Sequence, residues 1–382
     1  MIAFEVGLGY GCGVKCRFCA QKREWRRIPP LPFDLIARQM YMAHADGYRS
    51  VCFTGGEPTL YNDLPKMAAL ARRIGFTYIR VQSNGMRLAD PAYAGRLIDA
   101  GVNFFRVSGH GHTAELHDWL VQTPGALERL FAAAENIRSR GVEVGVNFLI
   151  NARNHATLPE FCDEFLGRGF TDFVIVYPLY EGDLAENAGE LGVLMAEAAR
   201  GLRRALEVFD RRRADYPRVL NFTPCAAPDL IPIMVAWSPH SSIMAGGDGV
   251  PADFYVAANE SRVKTAACRG CAFGAECRGF NAGYLKRFPD EGLGAVASEH
   301  EGAAKVARRL GGRRILRAGD AFFDEERREV ARLVQPLVDQ EVCKTEVQVE
   351  RMALAFDAEE SGLVQQRSVW REPLSSKEAA RA

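Results

Sequence analysis

The stretch GCGVKCRFCA, residues 11–20, sets Cys12, Cys16 and Cys19 in a C-x3-C-x2-C spacing. No further cysteine follows until Cys52, and the first histidine is His44. A structural zinc site and a closed iron–sulfur cluster each take four protein ligands. Three soft ligands in one short loop therefore imply a metal site with one position open. Two arrangements meet that description: an iron–sulfur cluster with one uncovered iron, or zinc with three protein ligands and a water.

The loop opens a regular alternation. Apolar segments that read as buried strands recur at 2–8, 50–54, 78–83, 103–108, 142–150 and 172–179, with helical periodicity between them. Asp90 followed by Pro91 starts one helix, and Thr123 and Pro124 start another in which Leu127, Leu130, Phe131, Ala134 and Ile137 repeat at helical spacing. Thr157 to Glu160 has the form of a capping box. Six such repeats predict an α/β protein, a parallel sheet with helices outside. The count is two units short of a closed eightfold barrel, so the expected fold is an incomplete (β/α)6 TIM-like barrel. Sites in such folds gather at the carboxyl ends of the strands.

Composition narrows the class. Hydrophobic residues are 48% and charged residues 25% of 382, an ordinary globular balance. Lys plus Arg and Asp plus Glu are 48 each, so no overall basic field points to nucleic acid or an anionic membrane. There is no run of 18 apolar residues and no signal-peptide pattern, which predicts a cytoplasmic protein with neither nucleic-acid nor membrane partner. Seven of ten cysteines fall in two groups, Cys12, Cys16 and Cys19, then Cys225, Cys268, Cys271 and Cys277. Grouped cysteines in a reducing compartment read as metal ligands. Cys52 and Cys162 sit in apolar runs and read as core.

The cysteine spacing, Phe18 before the last cysteine, and the FTGGEPTL element at 53–60 resemble the radical S-adenosylmethionine (SAM) superfamily over the first half of the chain. The resemblance implies a [4Fe-4S] cluster on Cys12, Cys16 and Cys19 whose open iron chelates SAM. It also implies reductive cleavage of SAM to a 5′-deoxyadenosyl radical. Gly55 and Gly56 would let the backbone approach SAM, and Glu57 would hold the methionine ammonium. By the same resemblance Ser83, Asn84, Ser108 and Asn147 would serve the ribose hydroxyls or carboxylate; Asn84 and Asn151 read equally well as turn residues. The strand-four loop carries His110, His112, His117 and Asp118. This set reads as substrate contact or helix capping before metal, with His110 or His112 as a candidate general base.

CRGCAFGAEC, residues 268–277, adds a C-x2-C-x5-C run to Cys225. Spacing alone suits zinc or a closed cluster equally. With Gly279 and Tyr284 following, it resembles the Twitch form of the Twitch/SPASM auxiliary domain, which implies a second [4Fe-4S] cluster. The expected organisation is a radical SAM core at 1–185, a linker helix at 186–215, an auxiliary cluster domain at 216–290, and a C-terminal helical extension with a mobile tail at 291–382.

Hydrogen abstraction from a small polar metabolite (a sugar, aminocyclitol or other natural-product intermediate) is the expected activity, ending in dehydrogenation or epimerisation. Eleven residues precede Cys12, which predicts no peptide-leader-binding domain there; peptide maturation is the alternative. Epimerisation needs a thiol to return a hydrogen atom, and Cys343 is the candidate. The other expected partner is a one-electron reductant such as flavodoxin or ferredoxin. An iron–sulfur electron carrier or a zinc-stabilised module are rivals that leave GGEP without a purpose.

Overall fold

The computed structural model describes residues 3–227, 230, 233–235, 241–245, 251–252, 261–271 and 277–289. The expected C-terminal extension, and Cys343 with it, lie outside the described residues.

Strands β1 (Ala3–Gly7), β2 (Ser50–Thr54), β3 (Tyr78–Ser83), β4 (Phe104–Ser108), β5 (Glu143–Leu149) and β6 (Asp172–Val176) run parallel in sequence order. Between them pass α1 (Phe33–Ala45), α2 (Leu64–Ile74), α3 (Pro91–Asp99), α4 (Ala114–Val121), α5 (Ala126–Arg138) and α6 (Leu158–Gly167). The sheet curls into the expected incomplete α/β barrel.

The curl extends beyond six strands. β7 (Arg218–Leu220) pairs parallel with β6, and β8 (Met234–Val235) with β7. β9 (Ser241–Ala245) returns to the other edge and pairs parallel with β1, and β10 (Pro251–Ala252) pairs antiparallel with β9. The boundary expected at residue 216 is therefore corrected, because 218–245 contributes strands to the core sheet.

The expected single helix over 186–215 is broken: α7 (Gly182–Glu186) ends where it should begin, and α8 (Ala188–Leu191) and α9 (Met195–Arg212) follow. The break has a local cause. Gly192 is extended, and the Val193 carbonyl accepts from both Tyr177 Oη (2.6 Å) and Tyr180 Oη (3.0 Å), which takes it out of a helical ladder. The capping box at Thr157 is also absent: its Oγ1 donates to the Asn154 carbonyl at 3.3 Å and caps no helix N–H.

One face of the sheet lies under the helices, where register sets Val6, Phe53, Val81, Phe105 and Val144 in a row. The concave face carries charge. Arg80 donates to Glu5 at 2.8 Å, while Arg106 and Arg218 both donate to Asp172, the latter at 2.5 Å. Arg106 must cross β5 to reach Asp172, and the residue between them is Gly145. A Cβ there would lie 3.0 Å from Asp172 Oδ2, so the missing side chain is what lets the pair meet.

Candidate functional site

The cysteine loop follows β1 and is fixed at three places. Gly56 N–H donates to the Gly9 carbonyl (2.7 Å) and Glu57 N–H to the Gly11 carbonyl (2.8 Å), joining it to the loop after β2. Lys15 and Arg17 N–H donate to the Val121 and Leu120 carbonyls at the end of α4. Asp183 N–H donates to the Cys19 carbonyl at 2.8 Å, and Asn187 Nδ2 to the Arg17 carbonyl at 2.8 Å.

These contacts change the reading of the glycine pair. A Cβ on Gly56 would lie 2.4 Å from the Gly11 oxygen and 2.5 Å from the Tyr10 oxygen; one on Gly55 would lie 2.5 Å from the Gly9 oxygen. The close approach that requires glycine is to the chain's own cysteine loop, where the sequence had suggested a ligand.

The three thiols influence one another. Burial pushes Cys16 well above its ordinary value, and Cys19 and Cys12 add to the shift. Burial likewise raises Cys12 and Cys19, against hydrogen bonds from the backbone at Val14 and Gln21 respectively. Burial favours the neutral thiols, and a metal ion bound there would release their protons. Among the described residues, no three His, Cys, Asp or Glu side chains converge on a single ion. A cluster that takes one thiolate per iron does not require it.

Glu57 is 6% exposed and does more than its sequence position suggested. Its Oε1 accepts from Thr59 N (3.0 Å), Thr59 Oγ1 (2.6 Å) and Ser83 Oγ (2.8 Å); Oε2 accepts from Asn84 N at 2.7 Å. Burial raises its carboxyl, while these hydrogen bonds hold it down. Oε2, with one partner among the described residues, keeps acceptor capacity for an ammonium group.

The strand-end residues divide. Ser83 Oγ donates to Glu57 and accepts from Gly85 N (3.0 Å), so its hydroxyl is committed to the loop where a SAM contact had been expected. Asn84 Oδ1 accepts from Met86 N at 3.0 Å, and its Nδ2 donates to Cys12 Sγ at 3.8 Å. Ser108 and Asn147 stand in register and half-buried on the concave face. Asn147 Nδ2 donates to Gln82 Oε1 (2.9 Å), and its buried Oδ1 has no partner. Asn151 forms a turn, its Oδ1 accepting from Arg153 N at 2.9 Å.

Residues 6–164 match the family model described as the radical SAM superfamily. That match takes in 159 of the chain's 382 residues. Over 155 residues the chain is 32% identical to a probable GTP 3′,8-cyclase of Metallosphaera sedula, covering 39% of this chain and 47% of that protein. Over 153 residues it is 34% identical to an Fe-coproporphyrin III synthase of Methanosarcina barkeri, covering 40% and 38%. The chain thus spans about half the length, or less, of these curated relatives. Among solved structures, SuiB of Streptococcus suis bound to its precursor peptide SuiA superposes with a TM-score of 0.58 at 14% identity, over 75% of this chain and 73% of that one. The enzyme anSMEcpe with bound AdoMet gives 0.56 at 13% identity, over 90% and 99%. At those identities the likeness is one of fold.

The superfamily that residues 6–164 match is one whose members take a [4Fe-4S] cluster and SAM. The residues present fit the cluster: three half-buried cysteines in one loop, with backbone N–H groups and the Asn84 amide directed at the sulfurs.

Two histidines after β4 accept from backbone N–H groups. Phe18 is buried with its ring edge-on to His110, 4.5 Å between centroids. His110 Nδ1 accepts from Leu149 N at 3.2 Å, and burial, with His117 alongside, holds its pKa well below the ordinary value. The ring therefore packs on Phe18 with Nδ1 engaged by the backbone. Burial brings His117 down to about 4, and its Nδ1 accepts from His110 N. Asp118 caps α5, accepting from Gly125 N (2.6 Å) and Leu127 N (3.0 Å). His112 is half-buried with Nδ1 unpartnered.

The second cysteine group also comes together. Burial raises Cys225 to about 11; Thr223 opposes the shift, and Cys277, Cys271 and Cys268 each add to it. Cys277 Sγ accepts from Gly279 N at 3.4 Å. The expected separation of the two groups by a long helix is corrected. Asn281 Oδ1 accepts from Tyr180 N (3.3 Å) and its Nδ2 donates to Glu181 (3.0 Å), while Asp183 touches Cys19. Residues 180–183 therefore join one cysteine group to the other.

Sequence reasoning passed over Gly182, Asp183 and Gln82. A Cβ on Gly182 would lie 2.6 Å from the Ala20 oxygen, and Arg23 pairs with Asp183 at 2.5 Å. Gln82 Nε2 donates to Cys52 Sγ at 3.2 Å while its Oε1 serves Asn147. The signal for the first pair was Gly-Asp in the connection that follows the sixth strand; Gln82 offered none.

Proposed function

We propose that this chain is an enzyme that cleaves SAM reductively and abstracts a hydrogen atom from a small polar molecule, with dehydrogenation or epimerisation as the outcome. The observation that carries the reading is the double link Gly56 N–Gly9 O and Glu57 N–Gly11 O, which holds an acceptor for the SAM ammonium against the three-cysteine loop. When bound, a cluster on Cys12, Cys16 and Cys19 supplies one electron to SAM and so generates the 5′-deoxyadenosyl radical. The chain's own contribution is orientation. Glu57 Oε2 takes the ammonium, Asn84 and Thr59 keep the carboxylate from turning, and His110 and Phe18 shield the rear of the loop. The concave face, with Gln82, Asn147, Ser108 and the Arg106–Asp172–Arg218 group beneath, suits a polar substrate. A peptide is the second reading, favoured by the fold shared with the SuiA-bound SuiB.

We assign Cys225, Cys268, Cys271 and Cys277 to an auxiliary [4Fe-4S] cluster that accepts the electron released when a substrate radical becomes a carbonyl or imine. The auxiliary unit then reduces to 261–289 with Cys225, since 218–245 joins the core sheet.

The test is anaerobic purification followed by iron and sulfide analysis and EPR of the reduced protein. SAM should alter the EPR signal, and 5′-deoxyadenosine should form. An unchanged signal with no 5′-deoxyadenosine under strong reductant refutes the reading. Replacing Cys268 and Cys271 by Ala should remove about four irons per chain and leave 5′-deoxyadenosine formation while abolishing oxidised product. Zinc at that site, or full product from the double variant, overturns the auxiliary assignment.

A further inference from the structure

Asn84 stands between the two halves of the site. Its backbone N–H donates to Glu57 Oε2 (2.7 Å), and its Oδ1 accepts from Met86 N (3.0 Å). The first bond ties the backbone to the loop after β2, and the second, within the loop after β3, orients the side chain. That orientation aims Nδ2 at Cys12 Sγ, 3.8 Å away. The Met86 bond also settles which end of the amide faces the sulfur: an N–H cannot receive an amide donor, so the oxygen faces Met86 and the nitrogen faces Cys12.

A hydrogen bond to a ligating sulfur withdraws electron density from it and favours the reduced cluster, which raises the reduction potential. We propose that Asn84 is a positioning residue that sets the reduction potential of a cluster on Cys12, Cys16 and Cys19 through its Nδ2–H···Sγ bond. The inference rests on the cluster reading above, and gives Asn84 a partner other than the SAM ribose or carboxylate expected from the sequence. It also gives SAM binding a route to the cluster. An ammonium on Glu57 Oε2 would share that oxygen with the Asn84 N–H, and a shift of that backbone moves the Nδ2 donor. Gly85, at a φ of 85°, follows directly and is the point at which the loop turns away.

The experiment is an EPR-monitored redox titration of the iron-loaded protein without SAM, on wild type, Asn84→Ala and Asn84→Asp. Asn84→Asp keeps the size of the side chain and the Met86 acceptor while removing the donor and adding a negative charge. The expected order of midpoints is wild type highest, Ala lower and Asp lowest. For Asp the reduced-to-oxidised ratio at fixed ambient potential should fall at least about tenfold, equivalent to about 59 mV for one electron. A residue that only props the loop would change iron content or SAM affinity without moving the midpoint of the cluster that remains. Equal midpoints in the iron-loaded variants overturn this inference alone. If neither variant holds iron, Asn84 is a loop support and the tuning role is overturned. Wild-type protein that takes up no iron or sulfide overturns both this inference and the cluster reading.

Discussion

Gly56→Ala separates two reasons for a glycine beside a cofactor. If Gly56 is needed for the ligand, the variant loses SAM affinity and the bare protein is indifferent. The structure assigns the need to the chain itself, because the new Cβ would lie 2.4 Å from the Gly11 oxygen and 2.5 Å from the Tyr10 oxygen. Both are backbone atoms and neither can rotate aside. The loops must separate, and the Gly56–Gly9 and Glu57–Gly11 hydrogen bonds go with them. Each bond contributes about 0.5–1.5 kcal/mol and forced overpacking costs about 1–3 kcal/mol, so the destabilisation should be about 2–6 kcal/mol. At roughly 2–4 °C per kcal/mol for a domain of this size class, the melting temperature should fall by several degrees in protein without iron or SAM. Gly13→Ala is the matched control in the same loop: nothing lies within 4 Å of its Cβ, and the change should stay within about 0.5 kcal/mol. Bare Gly56→Ala protein that melts with wild type, while SAM affinity alone drops, would refute the argument.

Two further perturbations test the rest of the core. Burial opposes the charged form of Asp172, yet the Arg106 and Arg218 guanidiniums prevail and hold its carboxyl well below the usual range. The folded value lies below the unfolded one, so this stabilisation is present above the ordinary value of 3.8 and is lost as pH falls beneath it. Asp172→Asn should cost about 3–5 kcal/mol at neutral pH by leaving two buried guanidiniums uncompensated, and should flatten the acid limb of a pH–stability curve; a variant as stable as wild type contradicts the pairing. Asp118→Ala removes the α5 cap and should cost about 0.5–2 kcal/mol in a denaturant titration. Iron content should not change, and a loss of iron would return Asp118 to a ligand role.

The elements that the sequence specifies locally are the ones that could be read from it. Strands two and three occupy 50–54 and 78–83 as expected, because short apolar runs between turn signals are their own evidence of burial on both faces. Asp90 caps α3 as expected, accepting from Ala92 N two residues on. What escaped depends on distant chain. β7 and β8 have 3 and 2 residues, too few for a periodicity, and exist because β6 offers an edge. The interruption at Gly192 comes from two tyrosines on the far side of α7 and α8. At the site, the cysteine motif is legible since thiolate spacing is a local property. The four donors on Glu57 come from the loop after β2 and from the end of β3 with the residue that follows, a meeting that only the fold arranges.

The pairing of β1 with β9 has a consequence during synthesis. Ser241 lies 237 positions after its partner Phe4 (241 less 4). At about 5–20 residues per second, a ribosome needs roughly 12–47 s to make the intervening chain. Throughout that interval the outer edge of the first strand has no neighbour, although its inner edge can already pair with Ser50–Thr54. An unpaired edge is a template for other chains. The nascent protein therefore carries an association hazard beside the three-cysteine loop. Slowing translation between residues 54 and 241 should increase aggregation more than slowing it afterwards.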